Sequence, residues 1–171
     1  MTISSIKIVS STNPQNSREI IKTAIDETTN EVLGTLKARR CDNDIYSEGN
    51  FPRFYIKEKT RFKTVAQPHI YVNDIFVKQE ARHKGVGTKL IKDIIKESAD
   101  KGCEGRVVLF AFDKESSPIG FYRKLGFTTG NTSLNKRIDE ILKYKSEIDK
   151  NLQTLMSIPK EKIAKILKTI R

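Results

Sequence analysis

The nine residues His69-Ile70-Tyr71-Val72-Asn73-Asp74-Ile75-Phe76-Val77 constrain the fold more than any other feature of the chain. They run into a loop with two glycines and then into a long amphipathic stretch. Their β-branched and aromatic content reads as a strand. From about Gly87 to Lys101, the residues Leu90, Ile91, Ile94 and Ile95 recur on one helical face, and Gly102 is placed to end that helix. Arg106–Phe112 follows as a near-continuous apolar run, the pattern of a strand covered on both faces. Strand, crossover helix and strand in this order predict a parallel pair within an α/β (α+β) fold. A second helix is expected from Pro118, at the first helical position after Ser117, to Leu125. Gly126 should end it before a short strand at Phe127–Thr129.

The flanking regions are weaker in pattern. Ile3–Val9 reads as a strand and Asn13-Pro14-Gln15-Asn16 as a turn. Arg18–Thr28 reads as a short helix capped by Ser17, with Ile20, Ile21, Ala24 and Ile25 as its apolar face. Glu31–Arg40 reads as a strand, Cys41–Pro52 as a polar loop and Phe54–Phe62 as another strand. From Leu134 onward no strand-like run stands out. Leu134, Ile138, Ile141, Ile148, Leu152 and Leu155 alternate spacings of four and three, with Lys145 in the vacant place. Pro159 then opens a second helix carrying Ile163, Ile166, Leu167 and Ile170. The expected organisation is a domain over residues 1–130 and a helical extension over 131–171. The extension should pack on the domain or at a subunit interface, in a monomer or homodimer, because an uncovered apolar stripe is unfavourable in water.

Composition removes several classes of function. The two cysteines, Cys41 and Cys103, match no zinc spacing, and with only His69 and His83 a histidine metal cluster has no ligands. No apolar run reaches the length of a membrane-spanning helix, and the N-terminus lacks the pattern of a secretory signal. These features predict a cytoplasmic protein that uses no metal and no membrane. Against 171 residues, 32 Lys+Arg and 21 Asp+Glu give a net charge of +11. That balance favours nucleic acid or another acidic partner, or simply a solvated lysine-rich surface.

The chemistry concentrates in Gln79-Glu80-Ala81-Arg82-His83-Lys84-Gly85-Val86-Gly87-Thr88. This loop follows a strand and opens a helix. Glycines let the backbone approach a ligand, and the first N–H groups of the helix point at an anion with the helix dipole behind them. Arg82 and Lys84 add positive charge. The pattern predicts a phosphate or pyrophosphate cradle. It is not a Walker loop, and Leu90 stands where a dinucleotide-binding loop would need its third glycine.

Residues Asn73 to Leu90 resemble the acetyl-CoA-binding motif of GNAT-type N-acetyltransferases, whose signature [Q/R]-x-x-G-x-[G/A] is met by Arg82, Gly85 and Gly87. Phe121-Tyr122-Arg123-Lys124-Leu125-Gly126-Phe127 resembles the second signature of the same family, Y-x-K-x-G-F. The resemblance implies a central splayed sheet with flanking helices. It implies acetyl-CoA as co-substrate and a primary amine as acceptor. By position, the backbone of Ile75, Phe76 and Val77 would hold the pantetheine arm. Arg82, His83, Lys84, Gly85, Val86, Gly87 and Thr88 would hold the pyrophosphate, with Lys124 also on the cofactor side. The amide near Val77 would polarise the thioester carbonyl, and Tyr122 would protonate the departing thiolate.

The chain departs from the family pattern in places. Glu115 stands where many relatives place an asparagine that contacts CoA. Asn73-Asp74 replaces a Glu-Asp pair, so Asp74 is the nearest carboxylate to act as base, with Asp113, Glu115, Glu80 or a bound water as alternatives. A helical tail replaces the usual closing strand. Cys41 and Cys103 have no catalytic partner in sequence, which speaks against an acetyl-cysteine route. Two other readings stay open: a CoA-binding regulatory module without turnover, and a transferase acting on a macromolecule such as tRNA, ribosome or protein. The acidic residues of the Cys41–Pro52 loop favour a small polyamine-like or lysine acceptor.

Overall fold

The computed structural model of the protein describes residues 5–42, 68–111, 118–144 and 154–170. They form one six-stranded sheet in the order β1-β2-β3-β4-β5-β6. The strands are β1 Ile6–Asn13, β2 Asn16–Asp26, β3 Val32–Cys41, β4 His69–Val77, β5 Val107–Ala111 and β6 Thr154–Ser157. Only β4 and β5 are parallel; every other neighbouring pair is antiparallel. The parallel pair is joined by helix α1, Val86–Ser98, as the central sequence pattern requires. Past Ser98 the chain widens through Ala99–Cys103 and turns at Gly102, whose φ of 75° suits glycine.

The sequence places Arg18–Thr28 in a helix, and the structure corrects this to strand β2. Ile20, Lys22, Ala24 and Asp26 are buried, while Ile21, Thr23 and Ile25 on the other face are less so. Lys22 is why the two-residue period is hard to see. A charged side chain at an inward position breaks the apolar alternation, but here its ammonium has partners. Lys22 Nζ lies 2.6 Å from Asp93 Oδ2 and 2.9 Å from Glu97 Oε2, both on α1, and 2.6 Å from Ser10 Oγ. Strand β1 runs later than expected, from Ile6 to Asn13, so the Asn13–Asn16 turn closes a β1–β2 hairpin.

The tail is also corrected. It is not a helical pair. Helix α3, Thr132–Lys143, is followed by strand β6 and then by helix α4, Lys160–Thr169. The apolar stripe therefore divides. Leu134, Ile138 and Leu142 of α3 join the core, whereas Leu155 lies on a strand paired with Phe110 of β5. A closing strand is present after all, reached through α3. The short strand expected at Phe127–Thr129 is reduced to one bridge, Thr128 with Ser157. Asn131 caps α3 by accepting the Leu134 N–H at 3.0 Å. Arg123 of helix α2, Ile119–Lys124, grips Asp139 of α3 with two hydrogen bonds of 2.6 and 2.7 Å. Ile163 of α4 is buried against the core near Gly105, where no larger residue fits: a Cβ would stand 2.4 Å from the Ile163 side chain. The expected strand Phe54–Phe62, nearly all of the Cys41–Pro52 loop, and Lys145, Ile148 and Leu152 lie outside the described residues.

The main core lies between the sheet and α1, with Leu36, Ile70, Leu90, Ile91, Ile94, Ile95 and Leu109 fully buried in it. A smaller cluster on the opposite face joins Cys41, Tyr71, Val108 and Leu155.

The Lys22 cluster gives the fold a pH signature. Desolvation pulls the Lys22 ammonium down, but its hydrogen bonds to Asp93 and Glu97 outweigh this and hold it above the ordinary lysine value. Burial pushes Glu97 up, but Lys22 and Lys101 hold its carboxyl below the ordinary glutamate value. A depressed carboxyl stabilises the fold above its unfolded pKa and loses that contribution as pH falls. The raised ammonium contributes below its unfolded pKa and loses its contribution as pH rises past it. Lys22→Met should cost about 2 kcal/mol at neutral pH, since it removes a buried ammonium from two carboxylates that are only partly exposed. It should also weaken the loss of stability between about pH 5 and pH 3. Denaturant melts of both proteins across that range check this, and an unchanged acid limb in the variant would refute the role of the cluster.

Candidate active site

The site begins where strand pairing stops. β4 pairs with β5 at Ile70–Val107, Tyr71–Val108 and Val72–Leu109 and no further, although β4 continues to Val77 and β5 to Ala111. On its other side β4 stays paired with β3 as far as Gly34–Val77. Residues Asn73–Val77 thus present an edge facing β5 that has no strand partner among the described residues. The register slips there as well. Ala38 pairs with Val72 and Lys37 with Asp74, which leaves Asn73 as a bulge.

The bulge reverses which side chains face the core. Ile70 and Val72 point at α1 before it, and Ile75 and Val77 pack toward the same core after it. Asp74 and Phe76 consequently lie on the face opposite α1, across from Lys37 and Thr35 of β3. The Lys78 N–H donates to the Leu33 carbonyl at 2.9 Å. Strand alternation then turns the Phe76 peptide toward β3 and the Ile75 and Val77 peptides toward the open edge. Gly34 makes this close pairing possible, because a Cβ there would stand 2.6 Å from the Phe76 carbonyl oxygen.

The loop after β4 forms a 3₁₀ turn, Gln79–Ala81, and leads directly into α1. The Arg82 guanidinium donates to the Val77 carbonyl at 3.3 Å and ties the loop to the end of β4. His83 and Gly85 both have positive φ, 61° and 84°. The strained His83 marks a backbone shape held by its surroundings. The Lys89 N–H is bonded to the Gly85 carbonyl. The N–H groups of Val86, Gly87 and Thr88 come before the first turn closes and have no helical acceptor. Arg82, His83, Lys84 and Gly85 are exposed around them, while the Val86 side chain is buried.

The two glycines serve different ends. Gly85 is needed for its left-handed backbone, since a Cβ there would meet nothing within 4 Å. Gly87 is needed for packing: a Cβ would lie 3.1 Å from Cζ of Phe121. The sequence gives both glycines to ligand approach, and the structure adds a packing constraint at Gly87. Phe121 thereby brings α2 against the start of α1.

Tyr122, on α2, is 5% exposed and belongs to the core shared with α1. Its ring centroid is 5.1 Å from that of Phe121 and 5.8 Å from that of Phe127. Asp74 is exposed on the opposite face of the sheet, so these two candidates stand on different sides of it. Lys124 is exposed at the end of α2. Asp113 and Glu115 lie outside the described residues. Glu80 is exposed on the 3₁₀ turn. Cys103 is buried, and desolvation pushes its thiol above the ordinary cysteine value, which makes it a poor nucleophile. Among the described residues no three His, Cys, Asp or Glu side chains group as metal ligands, and no helix is long and apolar enough to cross a membrane.

The model of the acetyltransferase (GNAT) family matches residues 11–127. The chain belongs to the GNAT acetyltransferase family. Thialysine N-epsilon-acetyltransferase of Sus scrofa is 35% identical over 65 residues, which are 38% of this chain and 38% of that protein. The chain therefore matches well under half the length of this curated GNAT relative. A bacterial toxin of known structure superposes with a TM-score of 0.57 at 17% identity, over 90% of this chain and 74% of its own. AtaTR bound with AcCoA superposes with a TM-score of 0.50 at 13% identity, over 90% of this chain and 74% of its own. Both likenesses are likenesses of fold and span nine-tenths of this chain.

Proposed function

We propose that the protein transfers the acetyl group of acetyl-CoA to a primary amine by direct attack within a ternary complex. The observation that carries this reading is the open edge of β4 running into the N-terminus of α1. Pantetheine adds to that edge as a strand would, through the peptides of Ile75 and Val77. The pyrophosphate sits on the N–H groups of Val86, Gly87 and Thr88, with Arg82 and Lys84 beside it. Support for acetyl-CoA comes also from AtaTR, a protein of the same fold bound with AcCoA.

In the reaction the acceptor ammonium gives up one proton to Asp74 or to a water beside it, the neutral amine then attacks the thioester carbonyl carbon, and the nitrogen releases its remaining extra proton to water as the amide forms. The Val77 amide stabilises the oxygen as it becomes an anion. The carbon–sulfur bond then breaks, and Tyr122 supplies the proton that neutralises the CoA thiolate. An acid and a base on opposite faces of the sheet suit this path, because the amine arrives from one side and the thiol leaves from the other.

Acetyl-CoA should raise the melting temperature, since a ligand that binds only the folded state stabilises it. Gly85→Val should abolish the rise, because a β-branched residue cannot hold φ near 84° cheaply. A full rise in that variant would remove the pyrophosphate from this loop.

A second reading keeps the chemistry and changes the acceptor. The net charge of +11 favours a transferase that works on an anionic macromolecule. Retention on nucleic acid that falls steeply with salt would favour it.

A further inference from the structure

Opposite α1, the sheet beside the open edge carries three exposed side chains in one line of reach. Phe76 is 53% exposed, the most exposed large apolar residue on β4. Asp74 lies two residues before it on the same face, and Lys37 of β3 lies directly across from Asp74. Both charged groups are exposed. Neither makes a hydrogen bond or ion pair among the described residues, in contrast to Asp26, Asp42, Asp93 and Asp139, which all do. The Asn73 bulge is what brings Asp74 and Phe76 to this face, since an unbroken strand would turn Phe76 toward α1.

We infer that Asp74, Phe76 and Lys37 form the acceptor site, and that its substrate class is an ω-amino acid: a primary amine on an alkyl stem that ends in a carboxylate. This rests on the acetyl-transfer reading and names the acceptor of that same slot. Acetyl-CoA approaches from the face of α1, whose N-terminus holds its phosphates, so the amine must come from the other face. There the first group beside the slot is the Asp74 carboxylate, which draws an ammonium toward the thioester. The Phe76 ring next to it covers an alkyl stem and attracts the cation. One strand further from the slot, about 5 Å away, the Lys37 ammonium meets the far end of the acceptor. A second positive charge there is repelled, and a carboxylate is attracted. The order of charges, negative at the slot and positive beyond it, therefore selects against polyamines. Of the polyamine-like and lysine acceptors that the acidic residues of the Cys41–Pro52 loop leave open, it favours lysine.

The test uses the whole chain with acetyl-CoA and four probe acceptors: L-lysine, thialysine, spermidine and cadaverine. Thiol release gives kcat and KM for each, and acetyl-CoA melting shifts are measured in parallel. Lysine and thialysine should be preferred over cadaverine by at least tenfold in kcat/KM. Lys37→Glu should reverse that preference while the acetyl-CoA shift stays. Phe76→Ala should raise the acceptor KM several-fold more than it lowers kcat, and Phe76→Tyr should restore KM. If acetyl-CoA shifts the wild-type protein and thiol is released but Lys37→Glu leaves the preference unchanged, the acceptor site is wrong and the transfer reading stands. If acetyl-CoA gives no shift and no thiol is released with any acceptor, the transfer reading falls and this inference with it.

Discussion

Ending the chain after Gly130 should leave a protein that does not fold. The cut removes Ile138, Leu155, Met156, Ile158 and Ile163, all buried. Each such side chain contributes about 1.5–3 kcal/mol when removed from water, and a domain of this size is stable by only about 5–15 kcal/mol. The cut also strips β6 from β5, opening a buried strand as a free edge, and it removes Asp139 from Arg123. The expected result is an aggregated or unstructured product with no cooperative melt. A soluble, monomeric fragment with a sharp transition would mean that the tail is only an appendage. A finer probe is Met156→Asp, which places an unpaired charge in the core and should unfold the full-length chain.

Tyr122→Phe should lower kcat by about 100- to 10,000-fold while the acetyl-CoA melting shift changes little. Only an oxygen is lost, so the ring still packs between Phe121 and Phe127. The expected signature is a fall in kcat with KM for acetyl-CoA nearly unchanged, because a proton donor acts in the transition state and not in binding. If turnover is unchanged, the thiolate leaves without Tyr122. If the melting temperature of the unliganded variant falls sharply instead, the hydroxyl serves the core.

The central half of the fold was legible because its signals agree with one another. β4 combines β-branched and aromatic residues, α1 repeats Leu90, Ile91, Ile94 and Ile95 on one face, and Gly102 ends the turn beyond it. β2 was illegible because its inward Lys22 is neutralised by carboxylates more than 70 residues away, at Asp93 and Glu97. No local pattern reports a partner that distant. β6 was missed because four residues are too few to show a period, and Leu155 happens to continue the spacing of α3. In the site, the loop from Gln79 to Thr88 was visible as a glycine pattern. The bulge at Asn73 was not, since it depends on the register against β3. That bulge decides where Asp74 and Phe76 point. Gly34 and Lys37 were overlooked for the same reason: each matters only through the strand opposite it.

The most direct measurement of the central reading is thiol release from acetyl-CoA by the full-length protein with L-lysine or thialysine, with the acceptor product read by mass spectrometry in the same reaction. Acetyl transfer predicts that thiol appears only when both substrates are present, and that each thiol is matched by one acetyl group on the acceptor amine. Acetyl-CoA that binds and shifts the melt, yet releases no thiol with any of the amines, would contradict the reading and leave a CoA-binding module.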